Sequence, residues 1–129
     1  MTDEQSTVHE FDRDVACVYG IVSAIIYQHI CWRSVNSPVR WVTFTLKELA
    51  AQYPYLTLDE VRTGLNRLVF PHGKHPALVM RKGKRGKSFL YSPVVDNPVV
   101  MKRSKFDVKL ATRLGLVPAI IFYNIGYWI

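Results

Sequence analysis

Between Val61 and Lys87 the chain carries no Asp or Glu, yet this stretch holds eight of its seventeen Lys and Arg residues: Arg62, Arg67, Lys74, Arg81, Lys82, Lys84, Arg85 and Lys87. Cations gathered this way suit phosphate oxygens better than proton transfer or nucleophilic attack. Arg62 and Arg67 could fork onto a guanine edge or clamp phosphate, and Asn66 could pair with adenine through two hydrogen bonds. Thr63 shares their face. The hydroxyl of Thr57, with the amides of the helix turn that it opens, suits a phosphate oxygen. The stretch "RKGKRGK", Arg81 to Lys87, puts five charges on one turn, apt for a duplex backbone or a narrow minor groove. The expected DNA-contacting set is therefore Thr57, Arg62, Thr63, Asn66, Arg67, Lys74, Arg81, Lys82, Lys84, Arg85 and Lys87.

Other chemistries find less support. "GKS" at Gly86 to Ser88 has the ending of a phosphate-binding loop, but the first glycine of that motif would fall on Arg81, and the segment lies on a hairpin. His72 and His75 have a ligand-like spacing with no Cys or carboxylate beside them, so an exposed basic loop is expected rather than a metal site. His29 reads as a satisfied core or interface histidine. Trp32, Trp41, Tyr91 and Trp128 read as core packing. No nucleophile, base and orienting residue stand together, so neither an enzyme nor a cofactor is expected.

The elements that must hold the basic residues follow from pattern. A long apolar helix is expected from about Ile21 to Ser34, then the loop "VNSPVR" and a short β-branched strand, "WVTFT". Thr45 caps the helix "LKELAAQY", in which Leu46, Leu49 and Ala50 share a face. "PYL" breaks it. Thr57 with Glu60 forms a capping box that opens "LDEVRTGLNRLVF". Leu58, Val61, Leu65 and Leu68 are its apolar stripe, and Arg62, Thr63, Asn66 and Arg67 point away. A loop, "FPHGKHP", leads to the strands "ALVMRK" and "SFLYSP", joined by "GKRGK". Helix, short strand, helix, turn, helix and hairpin make an α+β fold of the winged helix-turn-helix kind, mainly helical with a small antiparallel sheet.

With the Ala-Ile-Ile opening that ends in Cys-Trp, the Trp-bearing strand and "LKELAAQYPYLTLDEVRTGLNRL", the chain from about Phe11 to Val94 resembles the N-terminal winged-helix domain of plasmid and phage replication initiators and replisome organisers. The resemblance implies a duplex DNA-binding protein of replication initiation, gripping DNA with the third helix and the wing, and dimers fit the family. The stretch Val69 to Ala77 is longer than the family's usual link into the wing. An alternative is a phage- or plasmid-encoded regulator or inhibitor that turns the same surface on a host protein; another is a transcriptional repressor.

The opening recurs. At an offset of 95, Phe11-Asp12 matches Phe106-Asp107, Gly20 matches Gly115, and Ala24-Ile25-Ile26 matches Ala119-Ile120-Ile121, with no insertion. This alignment points to duplication. The expected organisation is an acidic flexible tail at 1–10, the winged helix at 11–93, a linker at 94–105, and at 106–129 a packing or dimerising helix or the first helix of a truncated second copy. The apolar ending, Leu114 to Ile129, is sixteen residues long, short of the roughly twenty a spanning helix needs, so no membrane is expected.

Composition sets the frame. An apolar fraction of 49% in 129 residues allows one real core. Five of the ten acids lie in the first fourteen residues, and from Val15 onward sixteen Lys and Arg face five Asp and Glu. Cys17 and Cys31 sit among apolar neighbours and are expected to be buried free thiols of a reducing compartment, the cytoplasm, since no secretion signal opens the chain.

Overall fold

The computed structural model describes residues 8–71, 73–83, 89–95 and 103–125. Its elements run β1 (Val8–Asp12), α1 (Arg13–Tyr19), α2 (Ile21–Val35), β2 (Val42–Thr43), α3 (Leu46–Ala51) and α4 (Leu58–Val69). They continue with β3 (Val79–Lys82), β4 (Leu90–Pro93), β5 (Arg103–Asp107), α5 (Val108–Leu114) and α6 (Leu116–Ile125). The class is α+β, with two small antiparallel sheets: a ribbon of β1 and β5, and three strands in the order β2-β4-β3.

The repeated sequence makes repeated structure. Asp12 ends β1 and caps α1, its Oδ1 accepting from the amides of Asp14 at 2.8 Å and Val15 at 3.3 Å. Asp107 ends β5 and caps α5 in the same way, accepting from the amide of Leu110 at 3.0 Å. Each short helix stops at a glycine with φ of +96° (Gly20) or +99° (Gly115), a region that a side chain disfavours. The amides of Gly20 and Gly115 return to the carbonyls of Ala16 and Ala111, and a second helix leaves each glycine. Phe11, Phe106, Ala24 and Ala119 are all buried.

The ribbon joins these copies with a symmetry of its own. Its pairs are Val8–Asp107, His9–Phe106, Glu10–Lys105, Phe11–Ser104 and Asp12–Arg103. Shifting every residue onto its equivalent 95 positions away turns the first pair into the last and the second into the fourth, and leaves Glu10–Lys105 on itself. The two strands are therefore related by a local twofold, as in a symmetric dimer. Residues 8–10 of β1 lie in the stretch expected as an acidic tail, and residues 103–105 of β5 in the stretch expected as a linker.

Helix α2 is the hub, touching α1, α4, β1, β2 and β4. Ile26 and Ile30 of α2, Leu49 of α3, Val61 and Leu68 of α4 and Val79 of β3 are fully buried beneath these elements. Gly64 lets α4 lie close to α2: a Cβ there would stand 2.8 Å from Val22 Cγ1. Ser23 Oγ, itself buried, donates to the Gly64 carbonyl at 2.9 Å. Both α3 and α4 begin with complete capping boxes, Thr45 with Glu48 and Thr57 with Glu60. Phe44 stacks on Tyr91 at 4.4 Å between ring centroids, joining β2 to β4.

Several expectations about burial are corrected. Cys17 is exposed and only Cys31 is buried, where burial raises the thiol pKa to about 11. Trp32 is 63% exposed, so it is not a core residue. Ile30, Cys31 and Ser34 in the same last turns are buried, so Trp32 lies on the uncovered face of α2. Leu58 is 39% exposed while the rest of its stripe is buried. No helix among the described residues is long and apolar enough to cross a membrane.

Candidate nucleic-acid interface

Helix α4 buries Val61, Gly64, Leu65 and Leu68 and turns Arg62, Thr63, Asn66 and Arg67 outward, all exposed. Thr63, Asn66 and Arg67 meet Phe70 and Pro71 in a shallow groove of about 290 Å³. A wider groove of about 760 Å³ adjoins it, running between the start of α4 and the starts of α2 and α6. Arg67 lines both. Its Nη1 donates to the carbonyl of Tyr19 at 3.5 Å, a long bond that leaves most of the guanidinium free to meet a ligand.

The start of α4 is less well suited to an anion. Thr57 Oγ1 accepts from the amide of Glu60 at 3.1 Å, and Glu60 Oε1 accepts from the amide of Thr57 at 2.8 Å. The cap therefore uses amides that a phosphate would want, although the Thr57 hydroxyl keeps its proton to donate. Arg62 Nη1 lies 2.8 Å from Asp59 Oδ1, and both side chains are exposed. Such a pair contributes about 0–1 kcal/mol, so a phosphate could still take Arg62 from it.

The hairpin supplies the other half. Arg81 on β3 is not a free cation: its guanidinium lies over Phe89 at 4.5 Å and over Phe70 at 5.2 Å, pinning the hairpin to the end of α4. Lys82 Nζ sits 4.1 Å above the half-buried Trp41 ring, and the residue remains exposed. Lys74 is exposed on the long link that follows α4. Lys84, Arg85 and Lys87 lie outside the described residues, as do His72 and Trp128. That link is anchored where Tyr19 Oη donates to the Pro76 carbonyl at 2.6 Å and the His75 ring stands 6.0 Å from the Tyr19 ring. Tyr19 thus holds both the link, through its hydroxyl, and Arg67, through its carbonyl. No local pattern marks Tyr19 for that role.

Arg40 was also missed. Its Nε donates to Ser92 Oγ at 2.7 Å, and its Nη2 to the carbonyls of Pro93 and Val95, the latter at 3.3 Å. It closes the outer end of β4, so its role is structural.

Among the described residues no group of His, Cys, Asp and Glu is placed to hold a metal ion. Comparison of the chain with protein-family models, curated proteins and solved structures yields no match.

Proposed function

We propose that this chain is a winged-helix protein that binds double-stranded DNA, with α4 in the major groove and the β3–β4 hairpin as its wing, in plasmid or phage replication initiation. The observation that carries this reading is the outward face of α4. Its inner face is locked against α2, while Thr63, Asn66 and Arg67 gather uncovered at one groove. The element order from α2 to β4 and the sheet order β2-β4-β3 support the winged-helix part. A helix fixed on one side and polar on the other is what reading base edges requires. Arg81 ties the wing to the end of that same helix, so both can meet one duplex. Asp59 and Glu60 shift the weight of contact from the start of α4 to its middle and to the wing.

The test is fluorescence anisotropy with random duplex DNA at about 50 and 200 mM salt, comparing the native chain with Lys84→Ala/Arg85→Ala/Lys87→Ala. Micromolar binding that falls steeply with salt and is lost in the variant is expected. Absence of binding by a folded sample at the lower salt overturns the reading.

A second reading, a regulator or inhibitor that binds a host protein or a second copy, is favoured by one observation: Val117, Ile121 and Phe122 of α6 are more than half exposed. Binding of that kind would be weakly sensitive to salt, so the same titration separates the two.

A further inference from the structure

The repeat at an offset of 95 carries α2 onto α6, but the two helices are not equally covered. Toward the ribbon they match: α2 lies on β1 and α6 on β5, and Ala24 and its counterpart Ala119 are both buried. On the other side they part. Ile26 is 0% exposed beneath α4, whereas its counterpart Ile121 is 54% exposed. Val117, Pro118 and Phe122, the counterparts of Val22, Ser23 and Tyr27, are exposed as well.

On α2 that face is taken by α4. Gly64 comes so near that an added Cβ would meet Val22, Ile26 and the Ser23 amide within 3.4 Å, and Val61, Leu65 and Leu68 are buried on either side of the glycine. The groove of about 760 Å³ at the start of α4 continues from this interface onto α6. It is lined by Gly20 to Ser23 and by their counterparts, Gly115 to Pro118. Helix α4 walls the groove beside α2, while on α6 Val117 and Pro118 are left exposed among the described residues.

From this equivalence we infer that the outer face of α6 docks an amphipathic helix of α4's own kind. Such a helix carries a glycine at the middle of its apolar stripe, in the pattern Val-x-x-Gly-Leu-x-x-Leu of residues 61–68. The inference rests on the reading in which α6 carries a protein interface, and it names the partner. Val117 and Ile121 repeat the Val22 and Ile26 against which Gly64 packs, so the same close approach is open to the same kind of helix. Pro118 replaces Ser23 and takes away the hydroxyl that donates to the Gly64 carbonyl. Docking on α6 is therefore apolar and reversible, weaker than the seat of α4 on α2. A second copy of the chain is a poorer occupant. Its own α4 is already seated, and the exposed residues Val117, Pro118, Ile121 and Phe122 are all larger than alanine, which keeps two such helices further apart.

The experiment is a titration of the isotope-labelled full chain with a synthetic peptide of residues 57–70, stapled between the outward positions 62 and 66 so that it is helical before binding. Amide resonances follow the binding, and sedimentation gives the mass of the chain alone. Saturable shifts at residues 115–123 are expected, with Kd below about 100 µM. Ile121→Asp in the chain is expected to abolish them, and because the side chain is exposed the fold tolerates the change. Gly64→Leu in the peptide is expected to weaken binding by about tenfold or more, whereas a merely apolar surface would take the bulkier peptide equally well. No saturable shift up to about 1 mM peptide overturns the inference. So do equal binding of the two peptides and shifts confined to residues 21–30, which would report exchange with α4 itself. A chain that self-associates, is dissociated by Ile121→Asp and ignores the peptide also overturns it while keeping α6 as an interface; a monomer that ignores the peptide removes both.

Discussion

Gly64 of α4 and Val22 of α2 approach so closely that a Cβ added to the glycine would lie 2.8 Å from Val22 Cγ1 and 3.1 Å from Ile26 Cδ1. In a free helix Gly→Ala stabilises by about 1 kcal/mol, but here the crowding outweighs that gain. Gly64→Ala should destabilise the fold by about 1–3 kcal/mol, read from urea midpoints. Because α4 would move outward, it should also disturb the spacing of Thr63 and Asn66 from the hairpin.

Tyr19→Phe removes the hydroxyl bond to the Pro76 carbonyl and leaves the ring in place. A loss of about 1 kcal/mol is expected. Trypsin should cut faster after Lys74, because the link between α4 and β3 loses its anchor. An unchanged cutting rate would mean that the link is held by other contacts.

The pH dependence has a definite direction. His29 has a folded pKa of about 4 against an ordinary value of 6.5, chiefly from burial, and burial lowers His9 in the same sense. As pH falls, the unfolded chain binds these protons first. Stability is therefore full above about pH 6.5 and declines from there toward about pH 4. For His29, partly solvated, the decline is on the order of 1–2 kcal/mol. His29→Gln should flatten the fall between pH 7 and 4.5, measured by urea unfolding; an unaltered slope would sink this assignment.

Arg40→Met should cost about 2 kcal/mol, because it strips charge-assisted bonds from Ser92 Oγ and from the carbonyls of Pro93 and Val95. Calorimetry on the native chain and the variant checks it. Arg40→Lys should recover little, since an ammonium cannot span these acceptors as the guanidinium fork does.

The α2-to-β4 core was largely legible because its signals are local. Thr57 and Glu60 are three residues apart and mark the start of α4 without any tertiary information, and the Val61-Leu65-Leu68 stripe fixes which face turns in. The β1–β5 ribbon was hidden because its partners are far apart in sequence and its strands carry no clean alternation. Trp32 misled for a related reason: on a helix as uniformly apolar as α2, residue type does not reveal which face is covered. At the candidate interface, outward-facing residues were readable from spacing. That Arg81 is held between Phe70 and Phe89, and that Arg67 reaches Tyr19, depends on how the hairpin and α1 meet α4, which no local pattern encodes.

The ribbon has a consequence for behaviour on dilution. Two separate molecules pairing such strands would part at low concentration, whereas Glu10 and Lys105 belong to one polypeptide and stay within reach of each other at any concentration. The covalent connection replaces mass action, so whatever shape the twofold ribbon imposes on its two flanking helix pairs is present in a single molecule as fully as in a crowded solution.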